Sequence, residues 1–238
     1  MNILFVSISS LQHMSAQSIY LDLIRQIQQH GHNVYVVCSN ERRNGQPTTL
    51  SEECGTHVLR VRIGNNKNTN IVEKGITNLL LPFQYFAAIK RHFSNVKFDA
   101  VVYPTPPVTH AKTVAYVKKR DGAASYLLLK DIFPQNAVDI GMMTKRGPKS
   151  VIYKMFRNKE KRLYQLSDHI GCMSPANVAY LLQHNPCVDP QIVHVNPNSM
   201  EVADYTPDAD KKAFDTTAFW ARSGFLRDQA MILPDGQY

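Results

Sequence analysis

The sequence predicts an α/β protein with a doubly wound, mostly parallel sheet of about seven strands and helices on both faces. Short apolar runs of strand length alternate along the chain with segments of helical periodicity, which is the pattern of successive βαβ units. The chain has 238 residues, of which 44% are hydrophobic, so it is long enough to bury one large core. We therefore expect a single α/β domain over residues 1–205.

The first βαβ unit gives the clearest pattern. Residues 2–7 and residues 33–38 are apolar runs of strand length. Between them, apolar side chains recur at helical spacing, and Gly31 is placed to end the helix. The predicted apolar face of that helix comprises Ile19, Tyr20, Leu23, Ile24 and Ile27. This spacing predicts a strand, a helix and a second strand in that order.

The remaining chain to residue 195 continues the alternation. Residues 40–55 are polar and are expected to form a loop. Asn196-Pro197-Asn198 and the acidic stretch that follows predict an exit from the domain. Further strands are predicted at residues 57–63, 100–103, 125–129, 169–173 and 192–195, with helical patterns between most of them.

Composition narrows the class of partner. Lysine and arginine number 27 against 19 acidic residues, which gives a formal net charge of +8 and favours an anionic partner. No nucleic-acid recognition module accompanies the basic residues, so nucleic acid is not the expected partner. The sequence shows neither a cleavable leader nor an apolar stretch of membrane-spanning length, so we expect a cytoplasmic protein.

Metal and cofactor sites are not expected. The nine histidines include no H-E-x-x-H pair, and the four cysteines include no C-x-x-C pair. The chain also lacks the glycine-rich G-x-G-x-x-G and G-x-x-x-x-G-K-[ST] loops that cradle dinucleotides and nucleoside triphosphates. A nicotinamide dehydrogenase and a P-loop NTPase are therefore disfavoured.

Polar residues that follow the strands are the candidates for ligand binding, because open parallel sheets bind ligands beyond the carboxyl ends of their strands. Ser9, Ser10 and His13 follow the first strand, and loop hydrogen bonding explains them equally well. Thr105 and Ser174 follow later strands and carry the same two interpretations.

The most informative strand end is at residues 126–136. Its apolar run places Lys130 and Asp131 at the mouth of the sheet, and Pro134 is suited to begin a short helix. The Asp131 carboxylate could orient a substrate hydroxyl or accept its proton. Alternatively, Asp131 caps the next helix or pairs with Lys130.

The segment from Tyr126 to Gly141, YLLLKDIFPQNAVDIG, resembles the acceptor-domain motif of family 4 glycosyltransferases that build bacterial surface polysaccharides. Shorter segments of the chain resemble other motifs of these enzymes in the same order. They are GHNV at 31–34, YPTPP at 103–107, SPAN at 174–177 and NPNS at 196–199. The resemblance covers residues 1 to about 205.

This resemblance implies the N-terminal, acceptor-binding half of a GT-B fold, a Rossmann-like domain. It implies metal-independent transfer, with retention of configuration, from a nucleotide-sugar donor to a saccharide acceptor that we expect to be lipid-linked. Asp131 is then the catalytic candidate. The acceptor-binding candidates are Ser9, Ser10, His13, Thr105, Lys130 and Ser174.

The donor-binding half of the family is not recognisable in this sequence. Residues 206–238 are interpreted as a linker and the truncated start of a donor domain, without the family's glycine-rich loop or its E-x7-E carboxylate pair. Transfer would therefore need a donor domain from elsewhere. The alternatives are a non-catalytic binding or scaffold subunit, or an inactive remnant of such an enzyme.

A basic, apolar segment around residues 76–93 is a candidate for peripheral contact with the acidic inner face of a membrane, where it would reach a lipid-linked acceptor. Packing as an ordinary core helix kinked at Pro82 is the competing interpretation. The candidate contacts are Phe83, Phe86, Lys90 and Arg91.

Overall fold

A computed structural model describes residues 1–200 except Gln12, Lys67 and Lys149. The predicted linker and donor-domain start at 206–238 lie outside the described residues. Within the described part of the chain, no helix is both long and apolar enough to cross a membrane.

The described residues form an eight-stranded sheet in the order β3-β4-β2-β1-β5-β6-β7-β8. Seven of these strands run parallel, which confirms the predicted number of parallel strands. The strands are β1 Asn2–Val6, β2 Asn33–Glu41, β3 Thr49–Glu53, β4 Thr56–Ile63, β5 Ala100–Thr105, β6 Ala124–Leu129, β7 His169–Cys172 and β8 Val193–Val195.

Strand β3 is the difference from the sequence prediction, because residues 40–55 were expected to be a loop. It pairs antiparallel with β4 in a hairpin closed by Cys54 and Gly55. Both turn residues have positive φ, 49° and 71°, as a tight hairpin turn requires. The strand is half-exposed and polar, so it carries no apolar alternation that would reveal it.

Helices cover both faces of the sheet, as predicted. Leu21 and Ile24 of α1 pack with Phe5 in a core cluster on one face. The larger cluster contains residues of α2, α3, α5 and α6. The helices are α1 Ile19–Gln29, α2 Ile71–His92, α3 Ala111–Asp121, α4 Gln135–Asp139, α5 Ser150–Leu166 and α6 Pro175–His184.

The helix predicted around residues 76–93 has one side packed in the core and another side exposed, as the core-helix and surface-contact interpretations respectively require. Helix α2 continues through Pro82, and its Leu81, Tyr85 and Ile89 are fully buried. Its opposite side leaves Phe83 exposed, with other large apolar residues beside it. The helix is therefore a core element that also presents an apolar surface.

The buried imidazole of His110 makes the stability of the fold depend on pH. His110 is fully buried and stacks on Tyr85 with ring centroids 5.8 Å apart. Neither ring nitrogen has a hydrogen-bond partner among the described residues. Burial lowers the pKa of His110 from 6.5 to about 4, because the charged imidazolium is poorly solvated there.

We expect His110 to make the protein less stable in acid. The folded-state pKa lies below the unfolded value, so this stability is fully present above pH 6.5 and is lost as the pH falls toward 4. The loss should be on the order of 3 kcal/mol. Urea unfolding of the wild type and His110→Phe across this range measures it, and equal pH slopes for the two proteins would contradict the assignment.

Candidate active site at the carboxyl edge of the sheet

The predicted site residues lie at one edge of the sheet because their strands are parallel neighbours. Strands β1, β5, β6 and β7 are adjacent in that order, and Ser9, Thr105, Asp131 and Ser174 stand at or just after their carboxyl ends. Strands β2, β3 and β4 lie on one side of β1, whereas β5 to β8 follow one another on the other side. The switch point therefore falls between β1 and β5, where ligands of such sheets bind.

Asp131 is exposed at this edge. Its carboxylate makes no hydrogen bond or ion pair with any described residue, so neither the capping role nor the pair with Lys130 is formed. Its backbone carbonyl accepts a 3.4 Å hydrogen bond from the Thr105 hydroxyl. Thr105 itself is buried and thus positions the Asp131 backbone, while the carboxylate remains available to a ligand.

Lys130 directly precedes Asp131 in the chain. It is half-buried, and burial lowers its pKa, because the ammonium group has lost part of its hydration. No carboxylate among residues of the described ranges pairs with it. An incompletely solvated cation of this kind favours an anionic or strongly hydrogen-bonding ligand.

Tyr20 is a site residue that the sequence analysis interpreted only as part of an apolar helical face. It lies in the first turn of α1, and its ring packs 5.6 Å from that of Phe5. Burial raises the pKa of its hydroxyl, and the nearby charge of Asp131 raises it further. Tyr20 is therefore a further candidate residue at this edge of the sheet. The signal available in the sequence was its place at the start of the helix that follows the first strand.

Side chains from three elements hold the loop between β1 and α1. Arg60 of β4 donates to the Leu11 carbonyl at 2.9 Å, Arg25 of α1 donates to the Ala16 carbonyl at 3.0 Å, and Ser39 of β2 donates to the Ile8 carbonyl at 2.5 Å. Carbonyl groups fixed in this way leave the loop pre-organised. The sequence analysis missed Arg60, because its acidic partner lies on the unpredicted strand β3.

The polar candidate residues at the strand ends differ in whether their side chains already make hydrogen bonds. The hydroxyls of Ser9 and Ser10 make no hydrogen bond within the described ranges, and both residues are half-buried. His13 is exposed. Ser174, by contrast, caps α6 by accepting a 3.2 Å hydrogen bond from the Asn177 amide. The side chains of the two serines and His13 are thus freer to contact a ligand than that of Ser174.

The membrane-contact candidates lie on α2 and are not equivalent. Phe83 is 54% exposed, and Lys90 and Arg91 are exposed further along the helix. Phe86 is half-buried, with its ring packed edge-on against Tyr116 at 4.7 Å. Phe83 and the two basic residues therefore face outward, and Phe86 mainly packs against α3.

The structure describes no group of three or more histidine, cysteine, aspartate or glutamate residues that could hold a metal ion, within the ranges it covers. All four cysteines are free, with Cys38 and Cys172 buried. Burial raises the pKa of both buried thiols to about 11, so they remain protonated near neutral pH.

Solved structures with the same fold are glycosyltransferases. No protein-family model matches the sequence, and no curated protein matches it. The sucrose-phosphate synthase of Thermosynechococcus elongatus is 11% identical over 82% of this chain and 47% of its own, with a TM-score of 0.57. A UDP-glucosyltransferase from Polygonum tinctorium is 9% identical over 87% and 55%, with a TM-score of 0.53. Arabidopsis thaliana UGT89C1 complexed with quercetin is 14% identical over 93% and 55%, with a TM-score of 0.51.

At these identities the likeness defines the fold. The described residues have the architecture of one Rossmann-like half of a GT-B fold. The chain spans about half of the length of the three structures.

Arg60 offers a direct test of how the β1–α1 loop is held. Its guanidinium contacts both carboxylate oxygens of Glu53, at 2.5 and 2.9 Å, as well as the Leu11 carbonyl. We expect Arg60→Gln to lower the free energy of unfolding by about 1–2 kcal/mol, since these hydrogen bonds involve charges that are partly exposed. It should also speed amide hydrogen exchange around Leu11.

Arg62 provides the control, because it lies two residues further along the same strand. Its side chain is exposed and has no partner in the part of the chain described. Arg62→Gln should therefore leave both urea unfolding and amide exchange unchanged. If the two variants behave alike, Arg60 does not hold the loop.

Proposed function

We propose that this chain is the acceptor-binding half of a glycosyltransferase of the family 4, bacterial surface polysaccharide type. In this proposal it transfers a sugar from a nucleotide-sugar donor to a lipid-linked saccharide acceptor, together with a donor-binding half. The observation that carries the proposal is the exposed, unpartnered Asp131 carboxylate next to the switch point of a GT-B-like sheet. The fold of the three solved glycosyltransferases supports it.

The chemistry assigned to this chain is alignment of the acceptor. Asp131 accepts a hydrogen bond from the acceptor hydroxyl, whose oxygen forms the new bond to the anomeric carbon as the bond to the donor diphosphate breaks. The hydroxyl proton leaves to Asp131 or to the departing diphosphate. In this proposal Tyr20 and Lys130 supply further hydrogen-bonding groups for the acceptor.

Replacing Asp131 tests its catalytic role. Asp131→Asn keeps the side-chain shape but removes the negative charge, so the side chain accepts a weaker hydrogen bond and cannot take up the hydroxyl proton. We expect transfer at saturating acceptor to fall about 10²–10⁴-fold, with a much smaller change in acceptor affinity. The assay follows a labelled nucleotide sugar into a lipid-linked acceptor, with the chain alone and with a donor-binding half added.

The matched control is Asp189→Asn, because Asp189 caps the short helix Pro190–Ile192 and asparagine caps equally well. That variant should retain full transfer. Acceptor binding without transfer, with any donor-binding half tested, would instead favour a non-catalytic binding subunit. If the chain shows no acceptor binding and no transfer, the proposal is ruled out.

We further propose that α2 brings this half to an acidic membrane. Its outward side carries Phe83 and then the basic pair Lys90 and Arg91, so apolar and cationic groups follow one another along one helix. Basic residues near an anionic surface contribute about 1 kcal/mol each. An orientation with this side toward the lipid would place the protein where a lipid-linked acceptor is found.

Vesicle binding measures this contact. We expect Lys90→Gln/Arg91→Gln to weaken binding to vesicles containing anionic lipid by roughly 10- to 30-fold at low salt, with no effect on neutral vesicles. The matched control is the exposed Lys-Arg pair of α5, changed as Lys161→Gln/Arg162→Gln. An equal loss in both double variants would indicate general charge attraction and contradict a role for α2.

A further inference from the structure

A groove lies between the first half of α2 and the carboxyl ends of β2 and β4, beyond the site described above. Its volume is about 690 Å³, within the range of small-molecule sites. We refer to it as the α2 groove. Its lining includes Arg42, Arg62, Glu73, Ile76, Leu80 and Gln84.

The polar groups of the α2 groove can bind an anion. The Arg62 side chain has no partner in the described ranges, and Arg42 is 64% exposed in its side chain, with Glu73 3.4 Å away. Glu73 is the lining carboxylate, and shorter hydrogen bonds from Thr69 and Asn65, at 2.5 and 2.8 Å, hold it. Both guanidinium groups therefore keep donors free, and paired arginines bind phosphate oxygens well.

Gln84 adds a further polar group to the groove. Its Oε1 is buried and has no hydrogen-bond partner among the described residues. Gln84 lines the groove, and its amide NH2 group can donate a hydrogen bond to a phosphate oxygen.

The other wall of the α2 groove is apolar and continues outside it. Ile76 and Leu80 are 54% and 51% exposed, and Leu79 and Phe83 on the same helix are 44% and 54% exposed. Positions 76, 80 and 83 share one helical face. An apolar strip of this kind leads from the two arginines along α2, so a single ligand with an anionic head and an apolar chain would match both walls.

We propose that the α2 groove binds the diphosphate and the first isoprenoid units of a polyprenyl-diphosphate-linked acceptor. Arg42, Arg62 and Gln84 hold the diphosphate, and Ile76 and Leu80 contact the isoprenoid chain. This inference rests on the proposed function, since it names the carrier of that acceptor. A free anion would not use the apolar wall, and a flat membrane surface would not fill a concave groove.

The position of the groove also sets the length of the saccharide. Strands β4 and β6 are separated by four strand spacings in the sheet order, or roughly 19 Å. A diphosphate at the end of β4 and a receiving hydroxyl at Asp131, after β6, therefore need a saccharide of more than one ring between them.

Farnesyl diphosphate is a suitable probe because it carries the diphosphate and three isoprenoid units without any sugar. We expect isothermal titration to show that it binds the chain at least tenfold more tightly than inorganic pyrophosphate or farnesol. Arg42→Gln/Arg62→Gln and, separately, Leu80→Gln should each weaken binding about tenfold or more. Thermal unfolding should be unchanged in these variants, because the substituted side chains are exposed.

The matched controls are Arg162→Gln and Ile152→Gln on α5, where Ile152 is 52% exposed against 51% for Leu80. Both should bind the probe as the wild type does. Absence of farnesyl diphosphate binding, equal binding of pyrophosphate, or no effect of Leu80→Gln would overturn the inference.

The same variants separate this inference from the proposed function. Probe binding that depends on Arg42, Arg62 and Leu80, without sugar transfer when a donor-binding half is added, would support the groove and rule out the transferase. Transfer to a lipid-linked acceptor that is unaffected by Arg42→Gln/Arg62→Gln would support the transferase and overturn the groove.

Discussion

Strand β1 occupies the position on which the rest of the structure depends. It pairs on one side with β2 and on the other with β5, both in parallel, and Leu4, Phe5 and Val6 are completely buried. Parallel neighbours must be joined by crossovers, and those that leave β1 and β4 cover opposite faces of the sheet. The consequence is a switch point at the carboxyl edge, between the β1 loop and the end of β5, where sheets of this kind bind their ligands.

Several interactions hold the chain that leaves β1 at this switch point. The Tyr85 hydroxyl of α2 donates to the Ser7 carbonyl at 2.8 Å, so the helix that lines the groove also fixes the exit of β1. From the other side, the hairpin of β3 and β4 holds the same loop through Arg60. Groups fixed by a surrounding scaffold lose little entropy when a ligand binds. A loop held in this way suits the proposed acceptor site, which must align one hydroxyl.

The sequence predicted the elements that have strong apolar signals. Residues 2–7 and 125–129 are apolar runs that a parallel sheet buries, and their polar successors necessarily fall at one edge. Strand β3 could not be predicted, because its stability comes from pairing with β4 and from Arg60 rather than from apolar side chains. Tyr20 was missed because it does belong to an apolar pattern. Helical periodicity predicts which face of a helix is buried, but it does not predict which residue of that face lies near a binding site.

Local sequence patterns could not predict the α2 groove either. Arg42, Arg62 and Gln84 are far apart in the sequence, and only the pairing of β2 with β4 and the packing of α2 bring them together. The apolar residues of α2 were recognised in the sequence as candidates for membrane contact or core packing. The fold divides them between the two roles, because one side of the helix is buried by the sheet and the other is left exposed.

A crystal structure with a short-chain prenyl-diphosphate disaccharide bound would test most directly whether the carboxyl edge is an acceptor site. We expect a saccharide hydroxyl about 2.6–3.2 Å from the Asp131 carboxylate, with the diphosphate beside Arg42 and Arg62. A saccharide bound at the amino edge of the sheet, or a carboxylate left without contact to the bound sugar, would contradict the role assigned to Asp131.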